Sequence, residues 1–354
     1  MREFGSEHPA VPLPDGYFAS FENYGHCTWL RSGREALHLV ALNLKRQEGP
    51  SVALMPAYCC HSMVDPFTKA GWEVVYYRLN EDLTVDTEYL VGLLGSVCPA
   101  AVLTMNFYGS ASTAEAVAAI KQEAPGCACI EDFSHCTFCL QEIFNPLVDY
   151  YVSSIRKSVG VCDGAVIISR EALDESCVSS GETDFVTVRR DCQQLKARYA
   201  YTQDGAQKDV FFPGLRSQEG ELDRFEGVHR ISKTGRDMLG AINGEIIRYA
   251  RHQNMEHLWR LLNGKVKMVP GLEKGFGGAP FSLPILVENR DEVQKALAAK
   301  GVYAPVLWPI DDQARAVCKV SAYVSDHMLS LPIDQRYNYD DIEDIASTVL
   351  GICA

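Results

Sequence analysis

Apolar residues along the chain fall into short runs, and between the runs they return every three or four positions. GREALHLVALNLKR (33–46) has helical spacing and predicts the first helix. SVALM (51–55) predicts a strand, a helix near 61–70 follows and ends at Gly71, and EVVYYRL (73–79) is the next strand. A helix near 86–95 leads to AAVLTMNF (100–107), and one near 113–123 leads to CACIED (127–132). DYYVSS (149–154) and GAVIIS (164–169) complete the set. Strands alternating with helices imply parallel pairing through right-handed crossovers, hence an α/β sheet covered on both faces. Ligands of such sheets bind beyond the carboxyl ends of the strands, so the residues just after each run are where chemistry is expected.

Residues 171–235 are more polar and less regular, and QDGAQKDVFFPGLRSQEGE (203–221) reads as a loop. A long helical region at about 232–263 follows, then a strand FSLPILV (281–287), a helix DEVQKALAAKG (291–301) and a final helix at about 340–352. The expected organisation is an N-terminal arm (1–20), a large domain with a mainly parallel sheet (21–235) and a smaller C-terminal α+β domain (236–354). Single cores rarely grow beyond ~250–300 residues, so more than one core is expected.

Composition narrows the function. With 47% hydrophobic and 22% charged residues the chain is ordinarily globular. A net charge of −13 with no basic block repels phosphate backbones and argues against nucleic acid as a partner. No run approaches the ~18 apolar residues of a membrane span. The opening MREFGSEHPAVPLPDG lacks the apolar core of a signal peptide, so a cytoplasmic protein is expected. An odd count of 13 cysteines fits reduced thiols. Cys127-x-Cys129 and Cys136-x-x-Cys139 have the look of a metal cluster, but the first pair lies in an apparent buried strand, where Cys is a small hydrophobe. Core packing is the better account, also for Cys59 and Cys60, and no metal is expected.

Three places carry chemistry. Glu131-Asp132 ends an apolar strand, where a carboxylate is costly unless it meets a cation; a helix cap or a surface ion pair is the plain alternative. Lys157 follows the strand DYYVSS, a position suited to an activated amine or to a surface loop. Ser32-Gly33-Arg34 opens the first long helix, whose N-terminus suits a phosphate, while Ser32 also suits a simple cap. Together, a phosphate cradle, an Asp after one strand and a Lys after the next are what pyridoxal 5'-phosphate requires.

The chain resembles fold-type I pyridoxal-phosphate aminotransferases, and within them the sugar aminotransferase (DegT/DnrJ/StrS-like) family, from about residue 30 onward. RSGREALHL resembles the family's SGTxALHL, and MPAYCCHSMVDPFTKAGWEVVYYRLNEDLTVD follows its VPxxTFxATxxAVxxxGxxPVFVDxDxxTxxxD. TMNFYG resembles PVHLYG, IEDFSH resembles IEDxAQ, and SSIRKSVGVCDGAVI resembles TKNLGxGGDGGAV. HMLSLPIDQRYNYDDIEDI resembles the late LSLPxxPxLTxEEIxxI.

The resemblance implies that Lys157 is the Schiff-base lysine and Asp132 the partner of the pyridine nitrogen. His135 takes the place beside the cofactor hydroxyl, Gly33 and Arg34 hold the phosphate, and Ser154 adds a hydroxyl. Cys60 falls where the family has an aromatic over the ring, leaving Tyr58 or His61 to stack instead. Val152 replaces the Ser five residues before the lysine, and Gly227-Val228-His229-Arg230 lacks the Asn of the family's GxNxR. Trp308, His327 and Arg336 are candidate substrate contacts in the small domain, with buried packing, or for Arg336 an ion pair with Asp334, as the alternatives. Arg230 is a further candidate, in the 203–230 segment expected to reach a neighbouring subunit of a homodimer with shared sites. The implied activity is transfer of an amino group from an amino-acid donor, plausibly glutamate, to a carbonyl acceptor such as a keto-sugar. A lysine at 157, rather than the His of related dehydratases, favours transamination. Other lyase or decarboxylase chemistry, a cysteine desulfurase using the Cys59-Cys60 loop, and a non-catalytic cofactor-binding homologue are the rivals.

Overall fold

The computed structural model describes residues 3–5, 8, 21–45, 51–224, 226–275 and 279–353, so the expected arm over 1–20 lies almost wholly outside the described residues. Strand β1 (Phe4–Gly5) precedes β2 (His26–Leu30) and α1 (Gly33–Leu44). Then come β3 (Val52–Pro56), α2 (His61–Lys69), β4 (Glu73–Tyr77), α3 (Thr87–Val97), β5 (Ala101–Met105), α4 (Ala114–Glu123) and β6 (Ala128–Asp132). Helix α5 (Leu140–Ile143) leads to β7 (Tyr150–Ser153) and β8 (Ala165–Ser169). β9 (Val178–Ser179), α6 (Asp184–Thr202), α7 (Gly205–Arg224) and β10 (Val228–His229) follow. The C-terminal part holds α8 (Lys233–Gly240), α9 (Gly244–Leu262), β11 (Leu283–Leu286), α10 (Arg290–Ala299) and β12 (Val302–Tyr303). It closes with α11 (Asp312–Val317), α12 (Lys319–His327), β13 (Met328–Leu331) and α13 (Tyr339–Cys353).

Seven strands form the main sheet in the order β2-β8-β7-β6-β5-β3-β4. The five from β4 to β7 are parallel. Every residue of β3, β5 and β8 is buried, as expected when helices cover both faces. Helix α1 packs on β7 and β8 with Leu37, Leu39, Val40 and Ala41 buried. The expected α/β class and mainly parallel sheet are borne out.

The structure differs from the sequence reading in three places. β8 runs antiparallel to β7, because the short link between them carries no crossover helix, and β2, which the sequence reading left out, pairs antiparallel with β8. The helical region near 232–263 is two helices, α8 and α9, with Asn243 capping the second through the Ile246 N–H. The third concerns 203–221, which is helix α7 and not a loop. Phe211, Leu215, Gln218 and Leu222 repeat at helical spacing and are buried, while the polar residues face outward. A Cβ on Gly214 would lie 2.5 Å from Cys192 Sγ, so the glycine lets α6 and α7 approach closely.

Glu131 shows what the sheet costs. It is fully buried on β6, Oε2 accepts a hydrogen bond from Thr113 Oγ1 at 2.7 Å, and burial pushes its carboxyl up to about 7 against the Thr113 hydrogen bond, with Asp132 adding to the rise. Between the ordinary carboxylate value and pH 7 the folded chain therefore holds a proton the unfolded chain has lost, so stability falls as pH rises through that window. Glu131→Gln, which keeps an acceptor for Thr113, should be more stable than the wild type at pH 8 by about 2–3 kcal/mol and equal near pH 4. Denaturant titrations at the two pH values measure this; a variant that loses stability at pH 8 contradicts it.

Candidate active site at the carboxyl edge of the sheet

β4 and β5 lie on opposite sides of β3, so the connections diverge there and leave a crevice at the carboxyl ends of the strands. The segments after β3, β5, β6 and β7 carry Tyr58, Tyr108, His135 and Lys157 to this edge. Asp132, the last residue of β6, pairs across to Val152 and is 6% exposed. Its Oδ1 accepts the Ser134 N–H at 2.8 Å, and Ser134 Oγ accepts the Ser154 N–H at 2.9 Å. A second link joins the Thr137 and Ser153 hydroxyls at 2.7 Å. The turn after Asp132 is thereby fastened to the end of β7, from which Lys157 follows.

The start of α1 presses on the same point. A Cβ on Gly33 would lie 2.9 Å from Ser154 Cβ, so only a glycine allows this approach without movement. Ser32 is the N-cap: its Oγ accepts the Glu35 N–H at 3.4 Å and donates to Glu35 Oε2 at 3.0 Å. Glu35, fully buried, also receives Arg31 Nη2 at 2.8 Å and His229 Nδ1 at 2.9 Å. The N–H groups of Gly33 and Arg34 stand in the first turn, at the positive end of the helix, a position that suits an anion. The Arg34 guanidinium pairs with Asp223 near the end of α7.

Lys157 ends a tight turn, Ile155–Lys157, and its half-buried side chain enters a cavity of about 600 Å³. Phe281, also in the cavity wall, stacks on His135 with centroids 5.1 Å apart and planes at 5°. His135 is buried, and its Nδ1 accepts the Tyr108 N–H at 3.4 Å. Burial, and then the Lys157 charge, hold the imidazole well below its usual range, so it is neutral. With Nδ1 accepting, the proton sits on Nε2, a hydrogen-bond donor. Trp308 stacks on the ring of His135 at 5.3 Å and leans on Tyr58 at 5.4 Å; like Gly33, Asp132, His135 and Ser154, it lies outside the lining of the cavity that Lys157 enters.

Of the two aromatic substitutes for Cys60, Tyr58 belongs to this cluster and His61 is exposed. Cys60 itself caps α2, and its thiol meets the Ser62 hydroxyl in its own helical turn. Three further candidates have partners within their own chain. Arg230 is exposed and pairs with Glu175 at 2.5 Å, and His229 pairs with Glu35, so both side chains are engaged inside their own chain. Arg336 lines the cavity, but its Nε and Nη2 lie 2.6 and 2.8 Å from the Asp334 carboxylate, the alternative the sequence offered. His327 stacks on Tyr323 at 4.1 Å, packing that the sequence also allowed. Cys127, Cys129, Cys136 and Cys139 are buried, and no group of ligands able to hold a metal is found among the described residues. Burial pushes the Cys59 thiol well up, opposite to what a nucleophilic thiol needs.

The sequence reading missed Arg156, Arg189, Glu219 and Arg251 in the cavity wall. Arg251 is wholly buried on α9, donating to Pro280 O, Phe281 O, Ser158 O and Gln335 Oε1 at 2.9–3.2 Å. Its only signal was an arginine one turn before Met255 on the apolar face of a helix.

No family model matches the chain, and no curated protein does. Solved structures do. PseC of Helicobacter pylori, an aminotransferase involved in the biosynthesis of pseudoaminic acid, superposes with a TM-score of 0.69 at 14% identity, covering 99% of each chain. A DegT DnrJ EryC1 StrS aminotransferase from Brucella abortus gives 0.64 at 18% identity over 94% of this chain and 87% of that one. The sugar aminotransferase CalS13 from Micromonospora echinospora gives 0.65 at 14% identity over 98% of this chain and 99% of that one. This chain has the fold of these aminotransferases, as its motifs led one to expect.

The Gly33–Ser154 approach gives a direct check on the cradle. Gly33→Ala should destabilise the protein by about 1–3 kcal/mol, because neither backbone can yield easily. Adding Ser154→Gly should recover most of that loss in thermal melts. A single variant as stable as the wild type would show that the approach is not tight.

Proposed function

We propose that the chain is a pyridoxal-phosphate-dependent aminotransferase that moves an amino group from an amino-acid donor, plausibly glutamate, to a carbonyl acceptor such as a keto-sugar. The observation that carries this reading is the Lys157 amine in a cavity, one strand away from the buried Asp132. The residues present fit the cofactor. Gly33 leaves room where a Cβ would collide with Ser154, and the Asp132 carboxylate has an acceptor oxygen beyond the one held by Ser134.

When bound, pyridoxal phosphate supplies an aldehyde carbon that bonds an amine and a ring that takes up the charge released at the donor's α-carbon. Each residue then has a physical task. The Gly33 and Arg34 N–H groups and the Ser154 hydroxyl hold the phosphate, and Asp132 keeps the pyridine nitrogen protonated. His135, neutral and donating from Nε2, meets the ring hydroxyl oxygen. Lys157 would hold the cofactor through its amine, and its Nζ would serve as the base for the proton at the donor's α-carbon. The cavity favours an anionic substrate: Arg156, Lys157, Arg189, Arg251, Lys295 and Arg336 stand against Glu219 and Asp334 in its wall, although the protein carries −13 overall. A concave positive site in an acidic protein focuses field on carboxylate-bearing molecules.

The proposal extends to a cytoplasmic homodimer with a large domain over 21–235 and a small one over 236–354. No described helix is long and apolar enough to cross a membrane. Tyr201, Val210 and Phe212 of the α6–α7 hairpin are exposed at 91%, 57% and 58%, more apolar surface than an isolated hairpin tip tends to show. Light scattering should give twice the chain mass, and Phe212→Asp with Val210→Asp should lower it; a wild-type monomer refutes the dimer.

For the chemistry, cofactor-loaded protein reduced with borohydride should carry the adduct on Lys157 by peptide mass spectrometry. Lys157→Ala should abolish turnover with every donor. Asp132→Asn should keep the fold and slow the half-reaction with an amino acid by about 10²-fold or more. An adduct on another lysine, or an Asp132→Asn variant at wild-type rate, overturns the assignment.

A further inference from the structure

The turn that carries Lys157 is short, with the Lys157 N–H 3.2 Å from Ser154 O and the Ser158 N–H 2.9 Å from Ile155 O. Its far end is held from α9. Arg251 is 1% exposed, and its Nη2 donates at 2.9 Å to the carbonyl of Ser158, the residue after the lysine. Nη1 donates to Pro280 O at 3.2 Å and Phe281 O at 3.1 Å, just before β11. Nε donates to Gln335 Oε1 at 2.9 Å, and Gln335 Nε2 donates in turn to Ser158 O at 3.1 Å. The Ser158 carbonyl is thus held twice, and Arg251, Gln335 and Ser158 close a ring. Asn254, also buried on α9, places its Nδ2 within 3.0–3.2 Å of Ile333 O, Asp334 O and Tyr337 O, which fastens the segment carrying Gln335 to the same helix. Phe281, held by its carbonyl, lies parallel to the ring of His135 with planes at 5°.

We propose that Arg251 is a positioning residue for Lys157 and His135: with Gln335 it holds the lysine's turn at the Ser158 carbonyl, and through Phe281 it holds the ring that faces the histidine. The proposal rests on the reading of Lys157 as the cofactor lysine. A guanidinium is planar and its N–H groups leave in fixed directions, so acceptors bound at four points cannot move independently. A lysine at this position would keep the charge but donate from one rotatable point and reach fewer of these acceptors. Burying a cation is costly, and an apolar residue on this face of α9 would pack without that cost. What the arginine adds is a single rigid group joining the turn after β7 to the segment that meets His135 after β6. Arg251 therefore acts through Ser158 and Phe281, and its loss should loosen the turn before it unfolds the chain.

The test has two readouts. Hydrogen exchange on the cofactor-free protein, read by mass spectrometry, follows the peptide spanning 154–160. Labelling with pyridoxal 5'-phosphate and borohydride at a single pH follows the rate at which Lys157 is modified. Arg251→Lys should speed exchange in that peptide about tenfold and slow Lys157 labelling by a similar factor. Gln335→Ala removes one of the two donors to Ser158 O and leaves Arg251 its hold on Phe281, so both effects should be smaller, about three- to fivefold. Leu262→Ala, buried at the other end of α9, is the control for lost stability: it should lower the melting temperature and leave both readouts at their wild-type values. An adduct on another lysine in the wild type overturns the functional reading and the proposal with it. With the wild-type adduct on Lys157, unchanged exchange and labelling in both variants, or changes that Leu262→Ala reproduces, overturn the proposal alone. Should Arg251→Lys not fold, Gln335→Ala against the control decides.

Discussion

Two adjacent carboxylates end a strand whose other residues are apolar, with Cys129 and Ile130 buried, and much of the surrounding structure answers their cost. Glu131, on one face of β6, has its carboxyl pushed up to about 7 by burial and leans on Thr113. Asp132, on the other face, is given the Ser134 N–H, and that serine in turn holds the Ser154 N–H at the end of the next strand. Burying an acid without partners costs several kcal/mol, so such a position persists where its remaining lone pairs meet a donor. The links from Asp132 through Ser134 to Ser154, and the glycine contact from Ser154 to α1, join three elements at one edge of the sheet. A bound pyridine, phosphate and aldehyde need three groups held in this way.

Much of this was legible in the sequence because parallel sheets leave a simple signature. Each strand is a short apolar run, each crossover an amphipathic stretch, and chemistry follows the runs; Asp132 and Lys157 stand out for that reason. The helix start at Ser32-Gly33 was legible too, but its two readings proved compatible: Ser32 caps Glu35 while Gly33 provides the approach. What the sequence concealed were long-range pairings. Nothing local distinguishes Glu219 or Arg189 from any helical surface charge, and the polar 203–221 stretch reads as a loop although its Gly214 serves close helix packing. Arg34, Arg230 and Arg336 were drawn to the site by position in a motif, and each is taken by an acid of its own chain: Asp223, Glu175 and Asp334.

In a protein of net −13, the proposed preference for an anionic substrate depends on where the positive charges stand. The guanidiniums of Arg156, Arg189, Arg251 and Arg336 line one cavity, where burial weakens screening. Arg251 is the deepest of them, and its direct partners are carbonyl and amide oxygens, so its charge is spread over neutral dipoles and not cancelled by a contacting carboxylate. The α6–α7 hairpin adds Arg189 and Glu219 from outside the sheet, which makes an appended element part of the site's electrostatics.

A crystal structure of the protein grown with pyridoxal 5'-phosphate tests the central claim most directly. The account predicts continuous density from Lys157 Nζ into the cofactor, the pyridine nitrogen within hydrogen-bond distance of Asp132, and the phosphate on the Gly33 and Arg34 N–H groups. Density joined to another lysine, or a cofactor bound with Asp132 out of reach, would contradict it.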